Sequence, residues 1–257
     1  MQRSAVRPSP IFLGILAVAV AGGFLAAYGD STTLLGSRDP MFIAGTVLLV
    51  LGGWMASLTL HEFGHAFVAF RGGDHEIAHK GYLSLDVRRY ADPVLSFVLP
   101  LIFLLIGGIP LPGGAVWINR GALRNRATAS WTSLAGPLSN LAVGAALCLA
   151  TMLIPMATGL FYAMSYLALL QMMTFLINIL PVPGLDGWGA LEPYLSPQAR
   201  AFGARVRPWA PLVLFALFFL FRPVSDLLWT IAGHIYEPLG GNAAAAYIGQ
   251  RAFLFWR

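Results

Sequence analysis

Residues 40–73 read PMFIAGTVLLVLGGWMASLTLHEFGHAFVAFRGG. Asp39 and Pro40 form a helix start signal, with Asp as cap and Pro in the first turn, and Arg71-Gly72-Gly73 is a stop signal. Between them the spacing predicts one helix over 42–70, long and apolar enough to cross a bilayer. Inside that run stands His61-Glu62-Phe63-Gly64-His65. Two histidines four apart share a helix face, and the glutamate lies beside them. In lipid, three such side chains cost several kcal/mol unless they serve each other or a metal. Two imidazole nitrogens suit zinc, and an adjacent carboxylate suits a base for a metal-activated water. At about 1.5 Å per residue both histidines lie roughly 9–15 Å from Arg71, within the membrane but near one face.

Composition extends this reading to the whole chain. Of 257 residues, 58% are hydrophobic and 11% charged, against roughly 25% charged in soluble domains. The class is an all-α polytopic membrane protein. The net charge of +5 is almost wholly arginine, with Lys80 the only lysine. The basic residues do not cluster with aromatics, so they read as loop charge that sets topology, and no nucleic-acid partner is expected. Arginine-rich usage also suggests a GC-rich prokaryotic genome. Cys148, alone in an apolar run, excludes a disulfide framework and reads as packing.

Transmembrane segments are expected at 11–29, 42–70, 131–155, 159–181 and 208–222, with 93–109 and 224–236 ambiguous, for about six helices in all. Arg3 and Arg7 before Ile11–Tyr28 have the outline of a signal peptide. The run is longer than a signal h-region, however, and Leu25–Asp30 is a weak cleavage site, so we read a retained first helix. The segment Val94–Gly108, with Pro100 inside it, either crosses or re-enters. With Arg3 and Arg7 cytoplasmic, a crossing splits the basic residues nine to seven; re-entry splits them twelve to four. The second split obeys the positive-inside rule and brings the helix ending near Pro181 to the level of His61 and His65. The chain divides into 1–40 (first helix and loop), 41–195 (membrane core) and 196–257 (C-terminal segments and tail).

Catalytic zinc takes three protein ligands and a water. Asp186, in Asn178-Ile-Leu-Pro181-Val-Pro183-Gly184-Leu185-Asp186-Gly187, is the candidate third ligand; the prolines break the helix and the glycines permit an unusual backbone. The residues leave a second reading open, an Asp-Gly turn after a helix. Glu62 is the candidate general base. A second H-E-x-x-H, His75-Glu76-Ile77-Ala78-His79, sits among Arg71, Gly72, Gly73, Lys80 and Gly81 with poor helical patterning and reads as a solvated loop. His234 reads as structural or interfacial, and residues after 236 as a small tail.

Three motifs in order, His61-Glu62-Phe63-Gly64-His65, Ser133-Leu-Ala135-Gly136-Pro137-Leu-Ser-Asn140, and Asn178 through Asp186-Gly187, resemble the site-2 protease family of intramembrane zinc metalloproteases. The resemblance covers roughly Trp54 to Leu195. Gly81–Asp86 followed by Asp92-Pro93 resembles the strand-like segment after the first motif in many members. The resemblance implies one zinc held by His61, His65 and Asp186, with Glu62 activating water. It also implies a transmembrane protein as substrate, cut near the cytoplasmic face of a prokaryotic cell membrane. Asn140 and Asn178 stand at family asparagine positions, where their amides would bind substrate backbone or an oxyanion, or else make a helix-packing hydrogen bond. Gly184 stands where many members have a further proline, which loosens that turn. Phe97–Gly114 would be a membrane-inserted hairpin that docks the substrate as a strand. Two other classes compete: a catalytically silent scaffold that keeps the fold, and a haem or metal-transport protein. Haem would want histidines on facing helices, and the other apolar segments offer only His234.

Overall fold

The computed structural model describes residues 6–31, 39–90, 101–102, 104–105 and 116–256. Within them lie ten helices: α1 Pro10–Tyr28, α2 Pro40–Gly72, α3 Glu76–His79, α4 Arg126–Leu153, α5 Thr158–Ile179, α6 Asp186–Leu191, α7 Pro197–Val206, α8 Ala210–Leu220, α9 Arg222–Tyr236 and α10 Ala243–Phe253, with short 3-10 turns between some of them. No strand occurs among the described residues. Four helices, α1, α2, α4 and α5, are long and apolar enough to span a membrane. The ambiguous 93–109 segment and most of 97–114 lie outside the described residues.

Local chemistry sets the ends of the long helices where the sequence marks them. Asp39 caps α2 by accepting from the Met41 N–H at 3.0 Å. Gly73, at φ +124°, ends it by donating back to Ala69 and Phe70 carbonyls. Ser9 caps α1 through the Phe12 N–H, and its hydroxyl also donates to the Leu85 carbonyl at 3.0 Å. α1 and α2 then meet on small residues. A Cβ at Gly22 would strike the α2 backbone at Gly45, Leu48 and Leu49, and one at Gly45 would strike α1 at Leu25 and Ala26. Such close backbone contact supplies the dispersion attraction that joins helices where lipid offers no hydrophobic drive.

α5 is the central post. It is the most buried of the four spanning helices; α4 packs on it through Cys148, Ala168 and Met172, and α2 through Val50, Trp54, Tyr166 and Leu170. The residues after 236, expected as a small tail, form α10 and are built into this core. Gly249 abuts the Tyr162 carbonyl, the Tyr166 and Phe253 rings meet at a tilt with centroids 5.6 Å apart, and the Tyr236 hydroxyl donates to the Ser165 carbonyl at 3.0 Å. Ala245 and Ala246, buried on the packed face of α10, allow this approach because they bring no bulk.

Three expectations need correction. The expected span 208–222 ends at Leu220, and after Phe221 the chain bends by 97° into α9. Pro223 in the first turn of α9 has no N–H with which to continue the preceding helix. The 81–86 segment is a 3-10 turn at Tyr82–Ser84, not a strand, because Gly81 (φ 73°) and Leu85 (φ 50°) both adopt left-handed backbone on either side of it. The Tyr90 hydroxyl, donating to the Tyr82 carbonyl, and Ser9, bonded to Leu85, hold that shape. The second H-E-x-x-H is one helical turn, α3, anchored by buried Ile77, with His75 and His79 exposed.

The chain rejoins the end of α2 that it left. Arg124 N–H donates to the Gly72 carbonyl at 3.0 Å, Asn119 N–H to the Asp74 carboxylate at 2.7 Å, and Lys80 Nζ to the Trp117 carbonyl at 3.4 Å. The Ser9 end of α1 reaches the same region through Leu85.

Candidate metal centre

One helical period places His61 and His65 on the buried face of α2, with Nε2 atoms 3.1 Å apart. Asp186 comes to them from a different element. The α5 helix ends at Ile179, and Val182 N–H and Leu185 N–H close tight turns onto the Leu180 and Val182 carbonyls. Gly184 stands at φ +102°, a conformation that favours glycine. Gly187 lets the next turn press against the Ile179 and Leu180 carbonyls, where any Cβ would collide. The result folds α6 back so that Asp186, its first residue, meets both histidines. Asp186 Oδ2 lies 3.2 Å from His61 Nε2, and Oδ1 lies 3.4 Å from His65 Nε2.

This triangle matches a metal site. Metal–donor bonds of about 2.0–2.1 Å in a tetrahedron put neighbouring donors roughly 3.3 Å apart. The three observed separations fall around that value, and the set is two imidazoles and a carboxylate, the donor types zinc takes. Among the described residues these are the side chains grouped closely enough to hold a metal ion. The histidines are buried and Asp186 keeps 23% side-chain exposure, so access to the centre is from the Asp186 side.

The remaining wall is backbone. Gly136 of α4 lies against both imidazoles, and a methyl group there would overlap His61 Nε2 and His65 Nε2. Gly64 of α2 lets α4 approach on the other side of the crossing, where a Cβ would stand 2.9 Å from the Ala135 carbonyl oxygen. The expected motif at 133–140 therefore serves the site partly through a residue with no side chain.

Each histidine is oriented through its other nitrogen. His65 Nδ1 donates to the Thr132 carbonyl at 2.7 Å, and His61 Nδ1 donates to Asn140 Oδ1 at 2.6 Å. With the protons on Nδ1, both Nε2 lone pairs face the centre. Glu62, 3% exposed, accepts from the Val116 N–H at 3.2 Å through Oε2. Ser130 Oγ ties α6 to α4 by donating to the Ala190 carbonyl at 2.6 Å, and Arg120 pairs with Glu192 beside it.

The two asparagines are placed differently. Asn140 is buried between His61 and Gln171, to whose Oε1 its Nδ2 donates at 3.0 Å. Asn178 is buried in α5, and its Nδ2 donates to the Thr174 carbonyl one turn back, at 3.0 Å. Sequence reasoning did not find Thr132 or Gln171, and it quoted Gly136 within a motif without giving it a role. Thr132 acts through its backbone, and no residue-type signal announces Gln171. His234 is exposed on α9 and donates from Nδ1 to the Thr230 carbonyl at 2.7 Å, and Cys148 is a buried packing residue.

The chain was compared with known proteins. No family model matches it, and no solved structure matches it significantly. Among curated proteins, zinc metalloprotease Rip2 of Mycobacterium tuberculosis is 41% identical over 257 residues, covering 99% of this chain and 96% of the relative. The Rip2 of Mycolicibacterium smegmatis is 42% identical over 217 residues, covering 84% and 82%. Zinc metalloprotease YwhC of Bacillus subtilis is 31% identical over 189 residues, covering 68% and 81%. With the three residues expected to bind zinc gathered at one point, and a relative 41% identical along nearly its full length, the chain belongs to the site-2 protease family of zinc metalloproteases.

Proposed function

We propose that this protein is an intramembrane endopeptidase that hydrolyses a peptide bond within a transmembrane segment of another membrane protein. The observation that carries the reading is the position of the histidine–aspartate cluster. It sits seven to eleven residues from the Gly72 end of a 33-residue apolar helix, on a face buried by other apolar helices. A soluble substrate would have no route to that depth.

His61, His65 and Asp186 would hold the metal. A zinc ion bound there supplies a Lewis acid for the scissile carbonyl and acidifies its water toward neutral pH. Glu62 takes the proton of the attacking water on its carboxylate and returns it to the leaving amine nitrogen. The Val116 amide holds Oε2 and so fixes the carboxylate for that transfer. Asn140 orients His61 through Nδ1. We assign the substrate-backbone role to Asn178, which stands in the last turn of α5 just before the bend that carries Asp186 to the histidines. A transmembrane helix hides its backbone in its own hydrogen bonds, so a stretch must unwind before these groups can reach it.

The active-site side is assigned to the cytoplasm of a bacterial membrane, and Val94–Gly108, which lies mostly outside the described residues, is assigned as re-entrant. Support comes from the twelve-to-four charge split and from the return of the chain to Gly72.

The test is metal stoichiometry on the detergent-purified protein, followed by cleavage of a membrane substrate. Wild type should carry about one zinc per chain, His61→Ala/His65→Ala none, and Glu62→Gln should keep zinc while losing cleavage. Cleavage that survives in Glu62→Gln would refute the mechanism. A wild type that never holds zinc while folded would favour a silent scaffold.

A further inference from the structure

Three helices meet in a polar chain that the metal ligands do not account for. His61 of α2 donates to Asn140 of α4, and Asn140 donates to Gln171 of α5. Asn140 is 1% exposed and Gln171 0%. Gln171 Nε2 has no hydrogen-bond partner among the described residues. Leaving an amide N–H unpaired in a dry core is costly, so packing alone is a poor reason to place a glutamine there.

The chemistry of the chain is directional. An asparagine amide can turn either its carbonyl or its NH2 toward His61. If the NH2 faced Nδ1, that nitrogen would have to accept, and the imidazole proton would move to Nε2, the atom aimed at His65 and Asp186. With the carbonyl toward His61, the proton stays on Nδ1 and the Nε2 lone pair points into the centre. With the Asn140 carbonyl given to His61 Nδ1, the Asn140 NH2 turns to the α5 side, where the Gln171 carbonyl is the acceptor that receives it. Without it, the Asn140 amide has a buried, unpaired NH2 and no reason to keep one orientation.

We infer that Gln171 is a positioning residue for the metal centre: it sets the orientation of the Asn140 amide and, through it, the tautomer and ring angle of His61. This rests on the zinc reading proposed above. It extends the support of the ligand from α4 to α5, so that the central helix of the bundle reaches the metal centre through Asn140.

The experiment is a double-mutant cycle read as zinc affinity, by competition with a chelator of known affinity, on the full chain in detergent. Gln171→Met keeps the shape and removes the acceptor. Loss of a partner behind a ligand weakens metal binding by about 10-fold to 100-fold, and Gln171→Met should fall in that range. In an Asn140→Ala background the same change should add nothing, because Gln171 acts only through Asn140. A cost equal in both backgrounds, or no cost in either, overturns the inference. The nitrogen resonances of 15N-labelled histidine in the zinc-free protein give a second readout. Gln171→Met should disturb the protonated Nδ1 signal of His61 and spare that of His65, which answers to Thr132; an undisturbed His61 signal also overturns the inference. Wild type that binds no zinc while the His61 signal still responds to Gln171 would refute the metalloprotease reading and leave the coupling standing.

Discussion

Gly136 of α4 lies against Nε2 of His65 with no room for a methyl group between them. In most helix interiors Gly→Ala is stabilising, by about 1 kcal/mol. Here the same change fills the space of the metal. Gly136→Ala should keep its helical circular dichroism and thermal transition yet hold less than about a tenth of the wild-type zinc. Normal zinc content in Gly136→Ala would show that the α2–α4 contact is looser than described.

The turn before Asp186 depends on Gly184 at φ +102°. An alanine forced into left-handed backbone costs roughly 1–2 kcal/mol, and proline, locked near −65°, cannot adopt it at all. Zinc affinity should therefore fall in the order wild type, Gly184→Ala, Gly184→Pro. The proline common at this position in the family would not loosen or tighten this turn; it would require a different path. Equal affinities across the three would sink the idea that this backbone sets the third ligand.

Asp86 lies outside the spanning helices, where its carboxylate takes Arg88 Nε at 3.0 Å and Nη2 at 2.9 Å, with Arg89 Nε 3.7 Å away. The Arg88 hydrogen bonds hold its pKa below the usual carboxylate value. A folded-state pKa below the unfolded one means the pairing stabilises the fold above the unfolded value, about 4. That contribution is lost as pH falls through the lower folded value. Asp86→Asn should lower the melting temperature near neutral pH and flatten its decline on acidification. Parallel pH profiles for the two proteins would rule this out.

His75 and His79 are exposed on the single turn of α3. Their replacement by alanine should leave zinc content and substrate cleavage within about twofold of wild type, as is usual for surface positions. Loss of the metal in that variant alone would move the centre to the wrong motif.

Much of this site is legible in the sequence because a single helical period, i to i+4, sets the two histidines, and Asp39-Pro40 and Gly73 mark the helix that carries them. Asp186 could be proposed from depth but not distinguished from a plain turn residue, since its approach depends on how α6 folds back over Ile179. The Asn140–His61 and Asn140–Gln171 contacts join residues 79 and 31 positions apart. No local pattern records such pairs. Gly136 was visible as a motif letter, but its role is an absence of atoms that only the helix crossing reveals. The fold was harder at its ends: four apolar alanines hid a core helix at 243–253, and left-handed Leu85 turned an expected strand into a 3-10 turn.

The Gly136 contact also says which parts of the molecule are free to move. Two helices whose separation is set by a glycine against the metal-binding nitrogens cannot slide, roll or spread without breaking the centre. α2 and α4 are therefore the stationary jaw of the enzyme. On the function proposed above, an opening that admits a substrate helix is made by a different wall, and a crosslink pinning α2 to α4 should be harmless to turnover where one pinning a mobile wall would stop it.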